Sequence, residues 1–162
     1  MEYGGPSTIE KEWRFDFDYE VALGETYTKF MEGLKEKKFL GNTCGSRTFF
    51  PPRPFCDRTL DLPVEWLECD GTGVVEAFTV YYHETRTVHY PQSKKLPQVP
   101  YVLGVIRVNN SEQCLIHFLS GFGTEDPKEL PEKIRVGMKV RPVWSKERTG
   151  NILDIEYFEP VQ

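Results

Sequence analysis

The chain has 162 residues, 39% hydrophobic and 28% charged, the profile of one ordinary globular domain or two small ones. A net charge of −5 argues against a chain built as a whole to hold nucleic acid electrostatically. No apolar run approaches the roughly 20 residues that span a bilayer. The N-terminus lacks a signal-peptide pattern, and four cysteines show no secreted disulfide framework. The expectation is a soluble cytoplasmic protein with no membrane partner.

In chain order, Trp13, Phe15, Phe17, Tyr19 and Val21 alternate with charged residues, which predicts an extended arm with one aromatic face. That face packs on the protein's own core or reaches a partner. Leu23, Tyr27, Phe30, Met31 and Leu34 follow at helical spacing and predict a helix over 23–38. Lys35, Lys37 and Lys38 at its end complement the helix dipole. From residue 29 to 58 there are seven basic and three acidic side chains, a window of +4 on an acidic chain. Such a patch suits a small phosphorylated ligand or an acidic surface, or is simply a solvated face.

The segment 39–61 is stiffened by Pro51, Pro52 and Pro54, with Gly41 and Gly45 free to turn tightly. Cys44 and Cys56 stand where the inner cysteines of two C-x2-C zinc knuckles would be, but the outer positions are Gly41 and Thr59. Structural zinc needs four ligands, so this metal site is incomplete and zinc is not expected. Completion would need Asp57, the distant Cys69 or a histidine. Phe39, Phe49, Phe50 and Phe55 can support the loop without metal.

From residue 64 onward β patterns dominate, at 73–82, 101–108, 113–119, 139–144 and 152–158, with a turn at 109–112. A short helix-like piece at 127–130 precedes the fourth strand. The 83–100 insertion, with His83, His89, Tyr90, Lys94 and Lys95, is long enough to be functional or merely mobile. Five strands so arranged predict a small Greek-key barrel of the OB type. The expected organisation is arm and helix over 1–38, a degenerate ribbon over 39–63 and an OB-fold domain over 64–162, mainly β with an N-terminal helix.

An ordered set of short motifs sharpens this reading. Phe30-x-x-Gly33-Leu34-Lys35, Leu40-Gly41-Asn42-Thr43-Cys44-Gly45, Phe50-Pro51-Pro52-Arg53 and Cys56 come first. Gly71-x-Gly73-x-Val75-x-x-Phe78-Thr79, Pro100-Tyr101 and Ile134-x-Val136-Gly137-Met138-Lys139-Val140 follow. From about residue 23 to the end, the chain resembles the acyl-CoA-associated zinc-ribbon/OB-fold family, known as domain of unknown function family thirty-five. The resemblance implies an N-terminal helix, a rubredoxin-like zinc ribbon and an OB-fold. It also implies a non-catalytic accessory subunit of a thiolase-superfamily complex (thiolase, acyltransferase or aldolase) that helps to bind coenzyme A and to assemble the enzyme. The nucleophile then belongs to a thiolase-like large subunit. In the family pattern only Cys44 and Cys56 carry over as zinc ligands.

For coenzyme A or acyl-CoA, the candidate ligands are Arg47 and Arg53, whose forked guanidinium groups suit phosphates. Lys37 and Lys38 stand behind them, with Phe50 or Phe55 to stack on adenine. The competing account has Arg53 anchoring the loop by bonding backbone carbonyls. His83, His89 and His117 have no nucleophile tied to them by a motif, and Cys69 and Cys114 read as inert, partly buried thiols. Independent catalysis is therefore not expected. The alternative is a single-stranded nucleic-acid binder with Phe78, Tyr81 and Tyr82 as a stacking platform, which overall acidity disfavours.

Overall fold

The computed structural model describes residues 20–62, 65–82, 99–124, 126 and 128–161. The 1–19 part of the aromatic arm, His83, His89 and the 83–98 part of the insertion lie outside them. The amphipathic stripe forms helix α1, Gly24–Lys35, which buries Phe30, Gly33 and Leu34. The helix stops short of the expected residue 38 because Lys37 adopts a left-handed backbone, with φ +63°. The Lys37 and Lys38 N–H groups then donate to the Leu34 and Gly33 carbonyls at 3.0 and 2.8 Å, which closes the helix end. This reversal brings Leu40 onto Gly33, where a Cβ would lie 2.8 Å from the Leu40 Cδ1.

Strands β1 (Phe39–Cys44), β2 (Arg47–Phe49) and β3 (Glu65–Cys69) form an antiparallel sheet in the order β2-β1-β3. The two-residue Gly45-Ser46 turn pairs Cys44 with Arg47, and Gly45 supplies the positive φ that this hairpin requires. On the other side Phe39 pairs with Cys69. The third strand of this sheet thus comes from sequence grouped above with the barrel.

Strands β4 (Gly73–Tyr81), β5 (Tyr101–Val108), β6 (Leu115–Leu119), β7 (Lys139–Trp144) and β8 (Ile155–Pro160) close into a barrel in the order β4-β5-β6-β8-β7. The expected mainly β fold with an N-terminal helix and a five-stranded OB barrel is borne out. Its details shift. The expected strand at 113–119 begins at Leu115, because Ser111 Oγ donates to the Gln113 carbonyl and the Gln113 side chain donates to the Pro51 carbonyl. The last strand begins at Ile155, because Asn151 caps a short 3-10 turn, Ile152–Asp154, by accepting the Leu153 N–H. The helical piece lies at α2, Leu130–Lys133.

One hydrophobic core serves both parts. Phe30, Leu34, Phe39 and Phe50 belong to the same buried cluster as Val75, Ile106, Val140 and Phe158 of the barrel. Phe39 is the hinge of this packing, with ring centroids 5.1 Å from Phe50, 4.9 Å from Trp144 and 6.3 Å from Phe158. Backbone and side-chain bonds stitch the seam: Glu112 N–H to the Thr48 carbonyl at 2.9 Å, and Arg148 Nε to the Lys35 carbonyl at 2.9 Å.

Candidate interaction surfaces

Cys44 ends β1 and Cys56 begins a turn in which the Leu60 N–H donates to the Cys56 carbonyl. Their Cα atoms are 5.7 Å apart and the two sulfurs form a disulfide. In place of the incomplete metal site that their spacing suggests, the two sulfurs are bonded to each other, and a disulfide sulfur is no thiolate ligand. Among the described residues no group of three or more His, Cys, Asp or Glu side chains could hold a metal ion. Gly41 supplies a physical reason on one side. A Cβ there would lie 2.7 Å from the Phe49 carbonyl oxygen, so the outer knuckle position has no room for a cysteine unless β2 moves.

The two candidate arginines flank this disulfide and meet on one carboxylate. Arg47 Nη1 donates to Asp57 Oδ1 at 2.7 Å and Arg53 Nη1 to Asp57 Oδ2 at 2.9 Å, while Arg47 Nη2 reaches Glu112 at 3.5 Å. Both guanidinium groups lie over the Phe49 ring, 4.9 and 4.8 Å from its centroid. The Arg47 hydrogen bond, ahead of the charges of Arg47 and Arg53, holds the Asp57 carboxyl below the usual carboxylate range. Two arginines, Asp57 and Glu112 neutralise one another, so a phosphate here must compete with Asp57. Arg53 does anchor the loop, but through a carboxylate and its own backbone. Its N–H and carbonyl pair with the fully buried Asn42 side chain at 3.2 and 2.7 Å.

The remaining candidates do not join them. Lys37 and Lys38 precede β1 at the end opposite Cys44, about 20 Å away at the rise of an extended strand. Lys38 is paired with Glu36 at 2.7 Å. Phe50 as an adenine platform is also corrected: it is 0% exposed, held between Phe30 and Phe39, and has no face to offer a ligand. Phe55 is half exposed.

Cys69 is buried, and burial, reinforced by Asp70, pushes its thiol up to about 11, so it carries little thiolate at neutral pH. His117 lies in the barrel wall. Its Nδ1 accepts the Phe118 N–H at 2.9 Å, which leaves Nε2 to donate to the Ile152 carbonyl at 3.1 Å. Strands β6 and β8 share a single registered pair, Leu119 with Phe158. His117 thus bridges a barrel seam that the ladder leaves largely unzipped, a structural task in keeping with its position in a β pattern.

Two clefts flank that seam, of about 470 and 320 Å³, and both are lined by Phe118 and Glu156. The larger adds Tyr101, Phe122 and Tyr157. Tyr81 stacks on Tyr101 at 4.9 Å and 8°, and Tyr101 meets Phe118 edge-on at 5.7 Å, which makes an aromatic rail across β4, β5 and β6. Sequence reasoning found Tyr81 but paired it with Phe78, which packs against the core instead. The missed signal was in β5, where the outward positions Tyr101, Leu103 and Val105 are as apolar as the inward ones. OB barrels commonly bind ligands across this face. Here Glu156 lines both clefts, and among the described residues no lining side chain is basic, which disfavours a phosphodiester strand.

Residues 66–145 match the family model described as the ChsH2 C-terminal OB-fold domain. The solved structure titled Ltp2-ChsH2(DUF35) aldolase superposes with a TM-score of 0.59 at 20% identity, covering 87% of this chain and 98% of that one. A DUF35-family protein of unknown function from Sulfolobus solfataricus superposes with a TM-score of 0.53 at 22% identity, covering 74% and 78%. No curated protein matches by sequence. Among the described residues no helix is long and apolar enough to cross a membrane.

Proposed function

We propose that the protein is a non-catalytic accessory subunit of a thiolase-like enzyme complex, on the ground that residues 66–145, which hold four of the five barrel strands, match the ChsH2 C-terminal OB-fold domain that the ordered motifs resemble. The observation that carries this reading is the family match over residues 66–145. A superposition that takes in nearly the whole of a ChsH2 chain from an aldolase supports the fold on which it depends. The chemistry of the chain agrees. Cys69 is buried with a raised pKa, His117 is spent on the barrel seam, and Cys44 and Cys56 are joined to each other. The nucleophile then comes from the large subunit.

In the finer form of the proposal, the three-stranded sheet is a ribbon remnant, and Arg47 and Arg53 contact the coenzyme A phosphates in the assembled enzyme. They exchange Asp57 for a stronger anion as they do so. Co-purification of the native protein is the test. It should elute with a thiolase-like chain, and recovery of the chain alone, with no such partner, would overturn the subunit reading. Charge reversal of Arg47 and Arg53 should weaken acyl-CoA binding of the complex at least ten-fold, since charge-assisted bonds of about 1.5–3 kcal/mol are lost. Unchanged affinity in a complex that still assembles would remove the coenzyme A role and leave the subunit role standing.

A further inference from the structure

The groove along the β6–β8 seam combines two features that one kind of ligand satisfies together. Its walls are aromatic, with Tyr101, Phe118, Phe122 and Tyr157 around the larger cleft. Among the described residues its one charged lining residue is Glu156, which both clefts share and which makes no ion pair with another described residue. An anion would meet a carboxylate with no cation beside it. A purely apolar segment would strip water from Glu156 without giving it a partner, which is unfavourable. A basic side chain avoids both costs: its alkyl stem lies along aromatic surface, and its head meets a carboxylate and the negative faces of rings.

We propose that this groove seats a basic side chain of a partner polypeptide, arginine in preference to lysine. The stem packs on Phe118 and Tyr101, and the guanidinium lies between Glu156 and the ring of Tyr157. Arginine is favoured because its planar head stacks on aromatic faces and bonds a carboxylate bidentately, which an ammonium cannot do. Charge complementarity fixes the occupant, and it does not depend on which enzyme the chain serves. Tyr81, stacked behind Tyr101, holds that ring in place from the far side.

The test uses the full chain with its aromatic rings isotopically labelled and the blocked tripeptide N-acetyl-Gly-Arg-Gly-amide as probe. Saturable NMR shifts should fall on Tyr101, Phe118 and Tyr157. The citrulline peptide, equal in shape but uncharged, should bind about ten-fold more weakly, since it loses both the ion pair and the cation–π attraction. Glu156→Gln should weaken the arginine peptide about three- to five-fold, and Glu156→Lys should abolish binding. Glu156 is exposed, so both variants should keep the wild-type circular dichroism spectrum. The proposal is overturned by absence of shifts in these rings, by equal binding of the citrulline peptide, or by wild-type affinity in Glu156→Gln.

Discussion

At the residue scale, His117 couples barrel closure to pH. It is buried, and desolvation lowers its pKa from the ordinary value of 6.5, against a smaller opposing effect of its bond to the Ile152 carbonyl. The neutral ring fits both bonds, whereas a proton on Nδ1 would point at the Phe118 N–H. Below about pH 6.5 the unfolded chain takes up a proton that the folded chain resists. Stability is therefore fully present above that value and falls as the pH drops towards the folded-state pKa. Replacing His117 with glutamine should keep a donor for Ile152 but strand the Phe118 N–H, at a cost of about 1–3 kcal/mol at pH 7.5. The variant should also lose stability less steeply between pH 7 and 5.5 than the wild type. Urea unfolding at several pH values measures both effects. An equal slope in the two proteins would assign the pH dependence to other groups.

At the scale of elements, the two cysteine turns are held by a disulfide and by ion pairs. The disulfide closes a loop of 12 residues in sequence separation. The Arg47–Asp57–Arg53 pairs and the bonds of Asn42 to Arg53 cross the same loop. Reduction, or Cys44→Ser with Cys56→Ser, should lower stability by about 3 kcal/mol, the loop-closure value for a loop of this size. Urea unfolding with and without a thiol reductant measures the loss, and an unchanged midpoint would place the stability of the turns in the ion pairs alone. Much of this element was legible in sequence. The prolines, the Gly45 turn and the spacing of Cys44 and Cys56 all located it. What spacing could not tell was which neighbouring phenylalanine faces inward, because both Phe49 and Phe50 are buried. Phe49 lies under two arginines, whereas Phe50 enters the common core. Nor could it tell that an acidic residue, Asp57, would claim both arginines, because that contact depends on how the two turns meet in space.

At the scale of the whole molecule, strand patterns and turn residues made the barrel legible. The division between the barrel and the N-terminal sheet was not, because β3 carries no mark of which sheet it joins. Alternation reports that a strand has a buried face, not what covers it. In the structure β3 completes the N-terminal sheet, and Phe39 passes from that sheet into contact with Trp144 and Phe158 of the barrel. Neither part has a finished core without the other. The consequence is a single cooperative unfolding transition, since small domains with one contiguous core usually behave as two-state systems. Phe39→Ala should remove about 3–5 kcal/mol by opening a cavity at the centre of this packing, and should destabilise both sheets equally. Amide NMR signals followed through a urea titration give the comparison directly. Signals from β1 and β5 should vanish at one midpoint in the wild type, and at one lower midpoint in the variant. A β5 midpoint that stays at its wild-type value while β1 melts would show that the barrel is stable alone.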